Sequence, residues 1–302
     1  MIKIGILGCG KIAQVRHIPE YAANPDCQLV GFYNPTKSRA EDMAAKYGGL
    51  VYDTAEELLA NPEIDAVSVC AANYAHAELA IQAMKAGKHV LCEKPMAITL
   101  SDCEEMVRVS EETGKFLMIG QNQRLTRAHM LAKQLLADGL IGRVITFRTS
   151  FGHGGPETWA IKPGKDTWFF DKSKAAMGAM ADLGIHKTDL IQFLLGQKVV
   201  RSTARLATLD KRGADEQLIG VDDNAICIFE MADGPLQTYD VEQIQTNDNQ
   251  TKSGVIDLWV DCLKNNRAPE ISGESALYAM RAVFASIESS QTGKTVEIEA
   301  NK

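Results

Sequence analysis

The sequence lacks the features that mark a secreted, membrane-spanning or nucleic-acid-binding protein. It contains no apolar run near the ~20 residues that a membrane span needs, no long basic run, and no CxxC pair among its seven cysteines. The net charge of -7 at pH 7 argues against nucleic acid or an anionic membrane surface as the main partner. The opening stretch MIKIGILG is typical of a strand rather than a signal peptide, so a cytoplasmic location is predicted.

The cysteines are odd in number and widely spaced, which favours packed free thiols over a disulfide framework. Aromatic residues are scarce, at 6%, whereas 45% of the 302 residues are hydrophobic and 24% are charged. A chain of this length and composition can bury a large core, and it is expected to form two domains of a soluble enzyme.

Residues 1–120 alternate short apolar runs with helical patterns. Runs of this kind are typical of strands that are buried on both faces of a parallel sheet. The alternation therefore predicts an α/β Rossmann domain, a doubly wound parallel sheet with helices on both faces. The predicted strands are Ile2–Leu7, Leu29–Tyr33, Ala66–Cys70, Val90–Cys92 and Phe116–Ile119. The predicted helices are Lys11–Ala23, Ser38–Tyr47, Ala55–Leu59, Ala77–Ala86 and Ser101–Thr113.

Residues 121–302 have a different rhythm, because strand patterns cluster together instead of alternating with helices. Such clustering predicts an α+β domain that is built on a largely antiparallel open sheet. The predicted strands are Val144–Phe151, Val199–Leu209, Ala225–Met231 and Leu236–Gln243. The predicted helices are Thr126–Asp138, Met180–Leu195, Gly254–Leu263 and Ser275–Ser289.

A glycine motif follows the first predicted strand, where Gly8, Gly10 and Ala13 read as G-x-G-x-x-A. The first glycine permits a tight turn, the second lets backbone amides approach a pyrophosphate, and the alanine lets the helix pack closely. In this strand–turn–helix context the motif predicts a dinucleotide site that includes Lys11 and Ile12. A simple tight turn between strand and helix is the alternative.

The end of the second predicted strand bears on the choice of cofactor. An acidic residue is expected there when the ribose has a free 2′-hydroxyl, but the chain has Asn34, followed by Thr36, Lys37 and Arg39. An amide does not repel a 2′-phosphate, and either basic residue can pair with one. We therefore expect NADP to be accepted, with or without NAD, although two solvated charges at a helix start would give the same pattern.

A lysine follows the fourth predicted strand in the stretch HVLCEKPMA. Ligands in doubly wound sheets bind at the carboxyl ends of the strands, and Lys94 lies at such an end. Pro95 restricts the turn and so fixes the direction of the preceding side chain. The pattern favours a lysine that points into a ligand cleft over an ordinary surface lysine.

Five stretches of the chain together resemble the glucose–fructose oxidoreductase and inositol dehydrogenase family, Gfo/Idh/MocA: GILGCGKIA, NYAHAELAIQAMKAGKHV, AGKHVLCEKPMA, GQNQRL and ADLGIHKTDL. The resemblance implies NAD or NADP as cofactor, a cis bond between Lys94 and Pro95, and catalysis by Lys94, Asp182 and His186. It also implies cofactor contacts from Ala71, Asn73, His76, Glu93, Lys94 and Asn122, and substrate contacts from Lys94, Arg124, Asp182 and His186.

The chain departs from the family pattern in two places. Met177 stands where the family commonly has a glycine, and the segment from Leu236 to Gly254 is short for the family. The methionine is expected to reshape the loop beside the substrate.

The second motif places Asp182, His186 and Asp189 at i, i+4 and i+7, on one face of a helix. A carboxylate one turn before a histidine can orient its imidazole and raise its basicity. A helix start with a solvated Asp189 is the alternative, and the role of Asp189 stays open. A metal site is not predicted, because Lys94 would place a positive charge beside the ion and no further His or Cys cluster completes a coordination shell.

The glycine-rich loop between the predicted strand at 144–151 and the second motif contains Trp168, which can stack on a sugar ring or anchor the loop through its neighbours Phe169 and Phe170. His17 and His129 lie within helical patterns and are expected to be packed or solvated rather than chemical.

These observations predict an NAD(P)-binding Rossmann domain over 1–120 and a substrate-binding and oligomerisation domain over 121–302. The predicted activity is hydride transfer between the nicotinamide and a secondary alcohol or ketone of a sugar, cyclitol or related polyol. Two alternatives stay open: a glycosidase that uses the nicotinamide transiently, and a non-catalytic dinucleotide sensor. The family resemblance also implies a homodimer or homotetramer.

Overall fold

A computed structural model of the chain describes residues 1–232, 236–238 and 253–299. These residues form two compact units. The first unit comprises Met1–Ala97, Ser101–Asn122 and 253–275, and the second comprises Ile98–Leu100, 123–232, 236–238 and 276–299. The α-helices, in chain order, are α1 (Ile18–Ala23), α2 (Lys37–Tyr47), α3 (Ala55–Ala60), α4 (His76–Lys85), α5 (Leu100–Thr113), α6 (Arg127–Ala137), α7 (Pro156–Trp159), α8 (Lys172–Ala175), α9 (Ile185–Leu195), α10 (Val255–Lys264) and α11 (Gly273–Thr292). Two π-helical segments, Ala13–His17 and Met180–Gly184, lead directly into α1 and α9.

The first unit is built on a six-stranded parallel sheet in the order β3-β2-β1-β4-β5-β6. This order is the doubly wound Rossmann topology, which confirms the predicted α/β fold. Ile4, Ile6 and Leu7 on the central strand are fully buried, as expected for a strand covered on both faces. The strands are β1 (Ile2–Leu7), β2 (Cys27–Tyr33), β3 (Leu50–Val51), β4 (Ala66–Val69), β5 (His89–Cys92) and β6 (Leu117–Ile119).

The far end of the chain returns to complete the first unit. The buried carboxylate of Glu20 accepts hydrogen bonds from the backbone N–H (2.9 Å) and hydroxyl (3.2 Å) of Ser253, just before α10 begins. Trp259 of α10 is fully buried, and Ser272 pairs with Met118 of β6 as an isolated antiparallel bridge. Residues 253–275 are therefore part of this unit although more than a hundred residues separate them from the rest of it.

The second unit contains a four-stranded antiparallel sheet in the order β10-β7-β8-β9. Serines of α11 fasten that helix to β7: Ser289 and Ser290 accept hydrogen bonds from the backbone N–H groups of Ala204 (2.9 Å) and Leu206 (2.8 Å). The predicted α+β class is confirmed. The strands are β7 (Val199–Ala207), β8 (Asn224–Met231), β9 (Leu236–Thr238) and β10 (Val296–Glu297).

One strand prediction was wrong. Residues 144–151 have no regular secondary structure, and Ile145 is 68% exposed. The β-branched and aromatic residues typical of a strand are present, but a strand also needs a neighbour for its backbone hydrogen bonds, and β-propensity does not supply one. Of the predicted strand Leu236–Gln243, the part after Thr238 lies outside the described residues, as does most of the segment predicted to be short for the family.

All seven cysteines are buried free thiols, as predicted from their spacing.

Candidate active site

The glycine turn between β1 and the first helix has the geometry that the motif predicts. Gly8 has φ +100°, and a Cβ there would lie 2.7 Å from the backbone of Cys70 and Ala71, so the turn itself requires glycine. Gly10 differs, because a Cβ would meet only the carbonyl oxygen of Cys70 at 3.6 Å. Protein packing therefore does not demand glycine at position 10, and the missing side chain leaves room above the turn for a pyrophosphate.

Asn34, at the end of β2, is part of the same turn. Its Oδ1 accepts a hydrogen bond from the backbone N–H of Cys9 (2.9 Å), and its Nδ2 donates to the carbonyl of Thr36 (2.9 Å). The buried amide therefore fastens the end of β2 to the glycine loop.

The two basic residues after Asn34 have different surroundings. Lys37 is exposed and forms a salt bridge with Asp53. Arg39 is half-buried, and its charge acts on the Cys9 thiol: burial raises the pKa of Cys9 to about 12, and Arg39 opposes that rise. The charge of Arg39 thus acts on Cys9, the residue between the two glycines of the turn.

His76, a predicted cofactor contact, lies between the loops that follow β4 and β5. Its Nδ1 is 2.8 Å from the carbonyl oxygen of Pro95 and its Nε2 is 3.1 Å from that of Ala71. Donation to both carbonyls would need a protonated, charged imidazole. Burial lowers the pKa of His76 and so disfavours that charged form. The side chain thereby connects the loop after β4 to the loop after β5. Asn73, in the loop after β4, is also buried.

Glu93 and Lys94 follow β5 at the carboxyl edge of the sheet. Burial would raise the pKa of Glu93, but its hydrogen bond to His17 and the charges of His17 and Lys94 lower it to about 2. Its Oε2 also accepts the backbone N–H of Lys94 at 3.1 Å. The Lys94–Pro95 bond is cis, as predicted. A charged carboxylate whose side chain is 13% exposed thus holds the backbone of the lysine whose side chain was predicted to be catalytic.

His17 belongs to a buried polar chain that sequence reasoning underestimated. Its Nε2 is 2.9 Å from Oε1 of Glu93, and its Nδ1 is 3.2 Å from the Ser68 hydroxyl, which is 2.7 Å from that of Tyr21. His17 is only 3% exposed, so the prediction that it is packed is confirmed. The sequence does contain a signal that His17 is buried. It lies four residues, about one helical turn, after Ala13 and so on the side of the helix that faces the sheet.

The low pKa of Glu93 predicts a specific acid sensitivity. The unfolded chain takes up this proton near pH 4.5 and the folded chain near pH 2, so the carboxylate stabilises the fold above pH 4.5 and this contribution disappears as the pH falls towards 2. Urea unfolding at a series of pH values should show a steeper acid loss of stability for the native chain than for Glu93→Gln. A control, Glu63→Gln on the exposed surface, should retain the native profile, and parallel profiles for Glu93→Gln and the native chain would contradict the prediction.

In the second unit, Arg124 and Asp189 form a buried ion pair. Nε of Arg124 donates to Oδ2 of Asp189 at 2.7 Å, and its Nη2 donates to Oδ1. Burial raises the pKa of Asp189, and the guanidinium opposes that rise. Asp189 is 1% exposed, so the alternative of a solvated carboxylate is wrong. Arg124 was predicted to bind substrate, and in the structure the Nε and Nη2 edge of its guanidinium faces Asp189.

Asp182 and His186 lie at the start of the second motif, which begins as a π-helical turn, Met180–Gly184, before α9. Oδ2 of Asp182 is 3.3 Å from Nε2 of His153. The ring of Phe151 stands edge-on to both His153 and His186, with centroids 6.1 and 5.9 Å apart respectively. The loop thus contributes a second histidine to the surroundings of the predicted catalytic pair.

Trp168 stacks on Phe169 with a centroid distance of 3.8 Å, and Phe169 also meets Trp159 edge-on at 5.1 Å. These contacts favour the role of loop anchor that the sequence left open for Trp168. Its predicted contact with substrate stays a prediction.

Across residues 1–232, 236–238 and 253–299, no three His, Cys, Asp or Glu side chains are grouped so that they could hold a metal ion. In the same part of the chain, none of the helices combines the length and apolar character of a membrane span.

The order of the first sheet and its glycine turn define a protein with a dinucleotide-binding Rossmann unit. Comparison with family models makes the assignment specific. Residues 2–121 match the model described as "Oxidoreductase family, NAD-binding Rossmann fold", and residues 129–257 match the GFO/IDH/MocA C-terminal domain. The chain belongs to the Gfo/Idh/MocA family, which confirms the resemblance seen in its motifs.

Curated relatives give the same family. The chain is 32% identical to glucose-6-phosphate 3-dehydrogenase of Bacillus subtilis over 74% of its own length and 63% of that protein. It is also 32% identical to inositol 2-dehydrogenase of Rhizobium meliloti, over 77% of its own length and 66% of that protein. The matched regions span just under two thirds of both relatives.

Solved structures show the same fold. An NAD binding oxidoreductase from Klebsiella pneumoniae aligns with a TM-score of 0.86 at 23% identity, and 99% of each chain is covered. GenD2 from gentamicin A biosynthesis, solved in complex with NAD, also has a TM-score of 0.86 at 23% identity, with 99% of this chain and 97% of GenD2 covered.

Proposed function

We propose that this protein transfers a hydride between NAD(P) and a secondary alcohol or ketone of a sugar, cyclitol or related polyol. The observation that carries the proposal is the arrangement in the first unit. The glycine turn after β1 and Lys94 after β5 both lie at the carboxyl edge of one parallel sheet, and Glu93 holds the backbone at Lys94. This edge is where doubly wound sheets bind their ligands.

The turn fits a dinucleotide, because Gly8 and Gly10 leave the backbone accessible to a pyrophosphate. A nicotinamide dinucleotide held by this turn would supply the acceptor for the hydride of the substrate carbon. In this proposal, the ammonium of Lys94 hydrogen-bonds the reacting oxygen and stabilises its developing negative charge. His186 takes up the hydroxyl proton, since an imidazole exchanges protons near neutral pH. Asp182, beside His153, orients His186 and the substrate hydroxyls.

The names of relatives support the substrate class. The Bacillus subtilis and Rhizobium meliloti proteins are named for dehydrogenation of a sugar phosphate and of inositol. The experiment that tests the proposal is a panel of sugars, inositols, polyols and their keto forms, followed by nicotinamide absorbance with both NAD and NADP. Net accumulation of reduced cofactor supports a dehydrogenase. Turnover of a glycoside without such accumulation would favour the glycosidase instead.

We further propose that NADP is accepted, with Arg39 as the partner of the 2′-phosphate. Lys37 is already paired with Asp53, whereas the charge of Arg39 acts on the glycine turn. Arg39→Ala should raise the KM for NADP by about tenfold, the scale of one charged hydrogen bond, and change the KM for NAD much less. Lys37→Ala is the matched control. A strong preference for NAD that Asn34→Asp leaves unchanged would contradict the proposal.

The homodimer or homotetramer and the cytoplasmic location stay predictions.

A further inference from the structure

The second unit contains a pocket of about 210 Å³ beside the second motif. It lies between the loop at 149–153, the first turns of the motif helix and the start of β8, and its polar lining includes His153, Lys187, Asp223 and Asn224. At roughly 30 Å³ for each water of liquid, its volume corresponds to about seven waters. That is room for a carboxylate or phosphate together with the carbon that carries it.

Lys187 is the cation of this pocket, and its contacts are with neutral groups. Nζ donates to Oε1 of Gln123 at 2.9 Å and lies 5.0 Å from the centroid of the Phe151 ring. Burial lowers the pKa of Lys187 to about 8, with no opposing contribution from a carboxylate. Among the residues that the structure describes, Lys187 has no acidic partner.

Two carboxylates beside this pocket, Asp223 and Asp182, have other partners. Asp223 lines it, but its oxygens accept hydrogen bonds from the backbone N–H groups of Leu209, Asp210 and Lys211, each at 2.8 Å. Asp182 is 3.3 Å from His153. A partly buried ammonium without a counter-ion costs stability that a methionine of similar length would not. Packing alone therefore does not account for a lysine at this position.

We propose that Lys187 and its pocket bind an anionic oxygen group of the substrate, a carboxylate or a phosphate, so that the protein acts on acidic or phosphorylated sugars. The position of the reacting hydroxyl rests on the function proposed above. The ring of Phe151 contacts both His186 and Lys187, and His153 joins the pocket to Asp182. A sugar that presents one hydroxyl to His186 can thus place a charged substituent near Nζ of Lys187.

Binding measurements test this proposal without any need for turnover. Isothermal titration should show that the native protein with its cofactor binds D-glucuronate or D-glucose 6-phosphate about tenfold more tightly than D-glucose, the scale of one charged hydrogen bond. The glucuronate arm reports a carboxylate and the phosphate arm a phosphoryl group. Lys187→Met should abolish the preference and leave the affinity for glucose unchanged, and Lys187→Arg should retain it.

Two further measurements separate the anion site from other effects. At matched ionic strength, acetate or inorganic phosphate should raise the melting temperature of the native protein more than that of Lys187→Met. Lys187→Met itself should be at least as stable as the native protein, and Lys165→Met, which removes the exposed partner of Glu216, is the control for loss of a charge. The proposal is overturned if the native protein shows no preference for either acidic sugar, or if Lys187→Met keeps that preference. If the preference is absent but neutral sugars are oxidised, the anion site is wrong and hydride transfer is still supported. If the preference is present but no sugar is oxidised, hydride transfer is contradicted and the anion site is not.

Discussion

Replacing His186 by alanine should lower kcat by about 100-fold or more, the usual scale for the loss of a general acid or base. In the proposed reaction its imidazole takes the hydroxyl proton while the hydride leaves carbon. Lys94→Ala should cause a loss of similar size, because it removes the charge that stabilises the reacting oxygen. The measurement is steady-state kinetics with the best substrate of the sugar panel, together with cofactor affinity from fluorescence titration.

The two variants should differ in one respect. His186→Ala should leave cofactor affinity nearly unchanged, since its role is confined to the chemistry, whereas Lys94 is also a predicted cofactor contact. Circular dichroism and melting temperature must show that both variants fold. A folded His186→Ala protein that turns over at the native rate would show that the assignment is wrong.

Replacing Arg124 by methionine should destabilise the second unit by about 3–5 kcal/mol, the usual cost of removing one member of a buried ion pair. Asp189 is 1% exposed and would keep its charge, or take up a proton, without the guanidinium that now donates to both of its oxygens. Urea unfolding measures the loss. Because the cost comes from the orphaned carboxylate, Arg124→Met combined with Asp189→Leu should recover part of it.

The same variant distinguishes a structural from a substrate-binding role for Arg124. A structural role predicts lower stability with a KM close to native. A large rise in KM at native stability would instead support the substrate contact that the family resemblance implies. Lys165→Met, which breaks an exposed pair with Glu216, should leave the unfolding curve unchanged.

The structure could be predicted from the sequence most reliably at positions where only one residue type fits. Gly8 adopts a φ that other residues avoid, and its Cβ would collide with the backbone at Cys70, so the turn could be predicted from the chain alone. Five of the six strands of the first sheet could also be predicted, because strands that are buried on both faces are rich in apolar residues. The short edge strand β3, whose Leu50 is exposed, was not predicted. Both features depend on local sequence.

Prediction failed where a partner distant in sequence decides the outcome. Residues 144–151 are rich in β-branched and aromatic residues, as strands are, yet the pairing of a strand depends on a neighbour that the composition does not specify. The contact of Asp182 with His153, from a loop about thirty residues earlier, could not be predicted for the same reason, whereas its predicted role in orienting His186 stays a prediction. Asn34 contacts Cys9 and Thr36, and these contacts likewise depend on how β2 ends beside the glycine turn.

The return of residues 253–275 to the first unit has a consequence for synthesis of the chain on the ribosome. Most of the parallel sheet is available once residue 122 has emerged, but α10, with its buried Trp259, follows only after about 130 further residues. At translation rates of roughly 5–20 residues per second, this delay is on the order of 10 s. During that time the apolar surface that α10 later covers is exposed to solvent and to chaperones, and the second unit is made while the first is still incomplete.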